Sequence, residues 1–235
     1  MPDRDHGWLA RMRQFLARLR RPAGLAGHPW RTPGPVSRTF GFDRGTPIDR
    51  VYIERFLAAH AHDIRGAVLE IGEPVYTRRF GTGVTRSDVL HQGTGAPPGA
   101  IVADLTDAPQ LAEGAYDCII ATQTLQHIPD AARAAATVHR LLAPGGVALL
   151  TAAGLGQISR FDADRWGDYW RFTADGFRTL LARACPGAAI EVDAHGSAWT
   201  AVAALQGLAA EELAPGELDW RDPDYEVVVT ARVVK

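Results

Sequence analysis

Carboxylates stand at the ends of three short apolar runs in this chain. Glu70 closes the run VLEI just before Gly72, Asp88 lies in VTRSDVL, and Asp104 follows AIVA. A carboxylate at the end of a strand, followed by glycine, marks a turn where a nucleotide-like ligand can approach the backbone of an open α/β sheet. Asp88 can accept two hydrogen bonds from a ribose diol, and it lies roughly 20 residues beyond Glu70, the spacing such a sheet expects. The plainer reading of Asp88 is a strand-end aspartate capping a turn. Asp104 taken alone reads as readily as the closure of an Asx-turn.

Two further stretches carry chemistry. The first is the polar loop 122–127, TQTLQH, which places Gln126 and His127 after an apolar run. Histidine titrates near neutral pH, so His127 could take a proton from a hydroxyl nucleophile; it could equally order the loop by bonding to backbone. The second is 157–173, QISRFDADRWGDYWRFT, where Phe161, Trp166, Tyr169, Trp170 and Phe172 alternate with arginines and aspartates, among them Arg165, Asp168 and Arg171. Aromatic faces with interleaved charges suit a polar ring such as a sugar or a phenol. The competing reading is a helix-capping lid whose aromatics are structural. His60 and His62 are two apart, so on a helix they point in different directions and make a poor metal site.

The elements that must position these residues follow from periodicity. Thr46-Pro47 reads as N-cap and first-turn proline of a helix whose buried stripe is Ile53, Phe56, Leu57 and Ile64. Strands are expected at 67–71, 84–90 and 100–104. Residues 116–121 form an apolar run suited to a strand buried on both faces. Pro129-Asp130 opens a helix with Ala131, Ala134, Ala135, Val138, Leu141 and Leu142 on one face. Pro144-Gly145-Gly146 stops that helix, and 147–151 is the next strand. This is a βαβ unit, hence a parallel sheet. Thr173 caps a helix to Ala184, 188–194 is a sixth strand, 199–213 is helical, and 225–234 closes the sheet. The expected fold is a Rossmann-like, doubly wound sheet of seven strands, mostly parallel with an antiparallel closing strand.

Several of these pieces, in this order, resemble the class I S-adenosylmethionine-dependent methyltransferases. They are Tyr116-Asp117 opening a strand, Leu125-Gln126-His127-Ile128 ending a loop, and Arg140-Leu141-Leu142-Ala143-Pro144-Gly145-Gly146 before the next strand. The resemblance covers about residues 40–235 and implies S-adenosylmethionine as cofactor, with direct displacement at its methyl carbon. It implies a cofactor site made of Glu70, Gly72, Tyr76, Asp88, Val89, Asp104, Leu105, Thr122 and Gln123, with Asp104 near the adenine amino group and Leu105 against the ring. Candidate substrate contacts are Gln126, Arg165, Trp166, Tyr169 and Arg171. The catalytic candidates, His127 and after it Asp168, rest on their residue types, since many members of the family keep this histidine without using it as the base. One departure stands out: the loop after Glu70 runs Gly72-Glu73-Pro74-Val75-Tyr76, where the family has several alternating glycines. A bulkier loop could hold the methionine part with Tyr76 or Arg78, or cofactor binding could be lost. The run Asp168-Tyr169-Trp170-Arg171-Phe172-Thr173 resembles a subgroup associated with glycan or specialised-metabolite pathways.

Composition bounds the rest. At 235 residues and a net charge of −2, the chain can bury a large core and has no global basic field for nucleic acid. Two cysteines, Cys118 and Cys185, give neither a disulfide framework nor a zinc pattern, which suits a reducing, cytoplasmic setting. No apolar run is long enough to span a bilayer. Residues 1–45 read as an amphipathic, arginine-rich helix at 7–21 followed by a Pro/Gly-rich linker, and residues 46–235 as the methyltransferase domain. The expected partner is a small-molecule substrate, with a homodimer left open and no metal. The function expected is methyl transfer to an oxygen of a sugar or specialised metabolite, as in natural-product biosynthesis. The alternatives are a non-catalytic binding protein or partner subunit that keeps the fold, and a nicotinamide-dependent oxidoreductase, weakened by the absence of Gly-x-Gly-x-x-Gly after any strand.

Overall fold

The computed structural model describes residues 33–93 and 95–235, so the helix expected at 7–21 lies outside the described residues. The unit that carries the site is Ser37–Lys235. Its strands are β1 (Gly66–Ile71), β2 (Val84–His91), β3 (Ile101–Val102), β4 (Tyr116–Thr122), β5 (Leu142–Ala153), β6 (Ala189–His195) and β7 (Val228–Val234). They form one sheet in the order β3-β2-β1-β4-β5-β7-β6. The first five are parallel, and β7 runs antiparallel between β5 and β6. The reversal from β1 to β4 at the centre of the sheet is the switch point at which open α/β sheets bind ligands.

The centre is apolar for the reason the sequence suggests. β4 sits between β1 and β5, and Cys118, Ile119, Ile120 and Ala121 are fully buried. Helix α1 (Ile48–Ala59) buries Tyr52, Ile53, Phe56 and Leu57, and packs on β7. A short helix α2 (Val75–Phe80) follows β1. Helix α3 (Ala131–Leu141) is capped by Asp130, whose carboxylate accepts the Arg133 N–H at 3.0 Å, and it buries the alanine–valine–leucine stripe read from the sequence. The four-residue α4 (Arg160–Ala163) lies in the aromatic stretch. Helix α5 (Ala174–Ala184) is capped by Thr173, buries Phe177 and Leu181, and packs on α3. Helix α6 (Ala198–Gln206) ends at Gly207, which has a left-handed φ of 70°.

The structure corrects several expected boundaries. Thr46 does not cap α1; Pro47 holds that position, and the Thr46 hydroxyl donates instead to Glu211 at 2.7 Å. Ile64 is buried but lies beyond α1, after a single turn at Ala61–Asp63. Pro144-Gly145-Gly146 does not stop α3. Leu142 is already extended and paired with Tyr116, and the tripeptide loops out of β5 as a bulge, since Cys118 next pairs with Val147. A side chain at Gly146 would press on the Tyr116 carbonyl. Helix α6 stops before residue 213, because Gly207 takes a conformation that breaks helices.

Candidate active site

A cavity of about 460 Å³ opens at the carboxyl ends of β1, β2 and β4. From β1 and the loop after it come Glu70, Gly72 and Tyr76; after β3 come Asp104 and Leu105; after β4 come Thr122, Gln123, Gln126 and His127. The aromatic stretch contributes Trp166, Asp168 and Arg171. Asp88, Val89, Arg165 and Tyr169 do not line this cavity.

The loop after β1 is built without the family's glycines. Glu70 is buried, and its two oxygens accept the backbone N–H groups of Tyr76 (2.9 Å) and Thr77 (2.8 Å). The carboxylate thus serves as the missing partner for the first turn of α2, whose orphan N–H groups need an acceptor. Burial pushes the Glu70 carboxyl up from its ordinary value, and the hydrogen bonds from Thr77 and Tyr76 pull against that rise. Gly72 has a φ of 96°, which favours glycine, and the space where a side chain would stand is open. A ligand can therefore approach the backbone here.

Asp88 does not reach the site. It pairs in register with Leu69, and β2 continues to His91, so Asp88 stops roughly 10 Å short of the strand end at about 3.3 Å per residue. Its carboxylate accepts the Tyr116 hydroxyl at 2.9 Å and faces Arg86 at 3.1 Å. Burial, reinforced by the neighbouring Asp88 charge, pushes the Tyr116 phenol up to about 12. Val89 alternates to the opposite side from the cavity-lining Leu90. The residues at the mouth of β2 are His91 and Gln92. Asp104 does form the Asx-turn, accepting the backbone N–H and hydroxyl of Thr106, both at 2.8 Å, while lining the cavity.

The loop after β4 is stitched to the aromatic stretch. His127 Nδ1 lies 2.8 Å from the Gly167 carbonyl, the Gln126 carbonyl accepts the Tyr169 N–H at 2.8 Å, and Trp170 Nε1 donates to the Ile128 carbonyl at 3.0 Å. A carbonyl can only accept, so Nδ1 carries a proton, and in the neutral ring the lone pair is on Nε2. Nε2 faces Asp162, 3.9 Å away on α4. Asp168 is not free to act as a base. Both its oxygens are bound by Arg171, and one also accepts the Ser159 N–H. Burial alone would raise its carboxyl, but the Arg171 guanidinium outweighs this and holds it below the usual range. Arg171 also donates to the Gln157 carbonyl at 2.8 Å, so it clamps the covering segment to itself. Arg165 stacks 3.6 Å above the Phe161 ring, and Tyr169 is exposed outside the cavity. Trp166 reaches across and meets His91 edge-on at 5.9 Å.

Gln123 and Gln126 form the least satisfied part of the wall. Gln126 Nε2 donates to Gln123 Oε1 at 2.7 Å, while Gln123 Nε2 and Gln126 Oε1 are buried with no protein partner among the described residues. Gln123 also holds a φ of 48°, uncommon for a side chain of this kind. Unpartnered buried amides beside a strained backbone are a ligand signature.

The sequence reading missed Asp49 and Arg50 from the first turn of α1, His91 and Gln92 from the end of β2, and Asp162 from α4, all of which line the cavity. Asp162 could have been found from its place in the aromatic stretch. Asp49 looks like an ordinary first-turn acid of a helix, so nothing local distinguished it. Among the described residues no group of three or more His, Cys, Asp or Glu side chains is placed to hold a metal ion, and no helix is long and apolar enough to cross a membrane.

A family model for the methyltransferase domain matches residues 36–185, spanning the strands and loops that build this cavity. The chain belongs to that methyltransferase family. The methyltransferase also shares its fold with solved structures. An S-adenosylmethionine-dependent methyltransferase from Mesorhizobium loti superposes with a TM-score of 0.52 at 18% identity, covering 80% of this chain and 98% of the other. One from Archaeoglobus fulgidus gives a TM-score of 0.52 at 9% identity, covering 79% and 94%. The [4+2]-cyclase SpnF gives 0.51 at 17% identity, covering 86% and 88%, so the fold by itself does not assign a substrate. Comparison with curated proteins finds no match.

Proposed function

We propose that this methyltransferase transfers a methyl group to an oxygen of a small hydroxylated molecule, such as a sugar or specialised metabolite, in the cytoplasm. S-adenosylmethionine is the cofactor, and the cavity has the character it requires. Gly72 leaves open space at the carboxyl end of β1, the buried amides of Gln123 and Gln126 lack partners, and Leu105 offers an apolar wall. When bound, the cofactor supplies a methyl group on a positively charged sulfur. The chain's own residues then hold it, exclude water and manage one proton.

The observation that carries the oxygen-methylation reading is the orientation of His127. With Nδ1–H committed to the Gly167 carbonyl, the neutral ring carries its basic lone pair on Nε2, beside the cavity-lining Asp162. A hydroxyl is a weak nucleophile, and removing its proton as the oxygen–carbon bond forms speeds transfer, typically by about 10²–10⁴-fold. Trp166 and the segment fastened by Arg171 cover the site, which keeps water from competing.

The test is transfer of a labelled methyl group from S-adenosylmethionine to a panel of sugars and phenols, with wild type and His127→Asn. The expected result is methylation of a hydroxyl, lost in the variant by at least about 10²-fold, while affinity for S-adenosylhomocysteine stays unchanged. Full turnover by the variant at saturating cofactor and acceptor would remove His127 as the base. Transfer to nitrogen or carbon acceptors alone would overturn the oxygen assignment.

A further inference from the structure

The cavity has more carboxylates than cations, and most of its charged groups are already committed. Glu70 receives two backbone N–H groups, Asp104 is bound by Thr106, Asp162 faces His127, and Asp168 is paired with Arg171. Two remain: Glu73, which is exposed, and Asp49, which is half-buried. Asp49 accepts only its neighbour's backbone N–H, from Arg50 at 2.8 Å, and meets no cation in an ion pair among the described residues. Burial pushes its carboxyl up, against the pull of the Arg50 backbone N–H and the Arg50 charge. The cavity's arginines are Arg50 and Arg171. Arg171 is paired, whereas Arg50 makes no ion pair among the described residues and lies 5.4 Å from the Phe42 ring centre. Burial pushes the Tyr76 phenol up, and the charges of Arg50, Glu54, Asp49 and Glu70 all act on it; Asp49, Arg50, Glu70 and Tyr76 line the same cavity. These groups therefore gather beside the loop after β1, where the family's glycines are missing.

We propose that Asp49 and Arg50, on the first turn of α1, form the subsite for the zwitterionic amino-acid end of the cofactor, with Asp49 receiving the ammonium and Arg50 the carboxylate. The proposal rests on the cofactor reading above. Two adjacent side chains of opposite charge, with no ion-pair partners of their own, match a ligand that carries one of each sign. Arginine can grip a carboxylate through two parallel N–H groups. The short loop Gly72-Glu73-Pro74 is then relieved of a task that a glycine-rich loop would perform, and Glu70 is left to anchor α2.

Calorimetry with two ligands separates this subsite from the rest of the pocket. S-adenosylhomocysteine carries the amino-acid end, and 5′-deoxy-5′-methylthioadenosine has the same purine and ribose without it. Arg50→Met and Asp49→Asn should each weaken S-adenosylhomocysteine roughly tenfold or more, the effect of losing a charge-assisted contact. The same variants should leave methylthioadenosine unchanged, and Arg50→Lys should recover part of the loss. Equal weakening of both ligands would reduce the pair to a structural role and overturn the proposal. So would unchanged affinity for both, or a selective loss that appears in Glu73→Gln and not in Asp49→Asn. A wild-type protein that binds methylthioadenosine as tightly as S-adenosylhomocysteine overturns the subsite alone. One that binds neither overturns the cofactor reading and the subsite with it. Thermal melts of each variant confirm that the fold is retained.

Discussion

Replacing Glu70 by alanine should destabilise the protein before it affects any chemistry. Glu70 is 2% exposed, and its oxygens hold the N–H groups of Tyr76 and Thr77 at 2.9 and 2.8 Å. Each bond to a charged acceptor contributes about 1.5–3 kcal/mol, and truncation leaves two donors in a dry environment. Burying the charge opposes this, since burial raises the Glu70 carboxyl, so the net loss is taken near the lower bound, about 3 kcal/mol. For a chain of this size that lowers the melting temperature by about 6–12 °C. Glu70→Gln keeps one acceptor but aims an amide N–H at the other donor, so it should not restore stability. The pH dependence has a defined sign. A carboxyl raised in the folded state binds its proton more tightly there than in the unfolded chain. Its contribution therefore falls as pH rises from about 4.3, the unfolded value, through the folded value, and both variants lose that slope. The assays are thermal and urea melts between pH 4 and 7, about the range that brackets carboxylate titration, together with calorimetry using S-adenosylhomocysteine. Affinity should fall in step with stability, because the loop from Gly72 to Tyr76 loses its anchor. A large loss of affinity with unchanged melting would refute the reasoning and make Glu70 a direct ligand contact.

Two further substitutions test other parts of the structure. Asp88→Asn should leave affinity for S-adenosylhomocysteine unchanged and bring the Tyr116 phenol down from about 12, read by ultraviolet titration of the tyrosines; a tenfold loss of affinity would return Asp88 to the site. In the second, Asp63 is buried and bound by Arg232 at 2.8 and 3.1 Å. Burial alone would raise its carboxyl, but the guanidinium outweighs this and holds it below its ordinary value. The stabilisation is therefore full above about pH 3.9, the unfolded value, and is lost as pH falls through the folded value. Arg232→Met should cost about 3 kcal/mol at neutral pH and flatten the acid limb of the stability profile, and an unchanged acid limb would refute the pairing.

What could be read from the sequence, and what could not, divides by the range of the forces involved. The run 116–121, the helix start at Asp130 and the cap Thr173 were legible because their signals are local: consecutive burial on two faces, and an acid or hydroxyl at a helix start. The seven-stranded, mostly parallel sheet followed from these pieces and the crossover rule, whereas the order of its strands did not. Asp88 was misplaced although the expected strand, 84–90, already ran past it: its ribose role rested on its spacing from Glu70, and spacing along the chain does not say how far a carboxylate sits from the strand end. Pro144-Gly145-Gly146 reads as a turn because its residue types favour one, but β4 and β7 hold it as a bulge: Gly145 donates its N–H to the Lys235 carbonyl at 2.8 Å.

The site divides along the same line, and its physical reason bears on what the chain does. The aromatic stretch 157–173 has the composition of a substrate wall, but long-range hydrogen bonds decide which of its side chains face inward. His127 to Gly167 and Gln126 to Tyr169 turn the backbone so that Asp162 and Trp166 line the cavity while Arg165 and Tyr169 face away. A change that broke the Gly167 contact would release the His127 tautomer and the orientation of that wall together. The histidine and the aromatic segment are thus one unit mechanically, and variants at Gly167 and His127 should be non-additive in a double-mutant cycle. The Asp49–Arg50 step shows the opposite case. Its two charges are adjacent in sequence and need no fold to bring them together, yet they are indistinguishable from any helix start until the sheet places a cavity beside them.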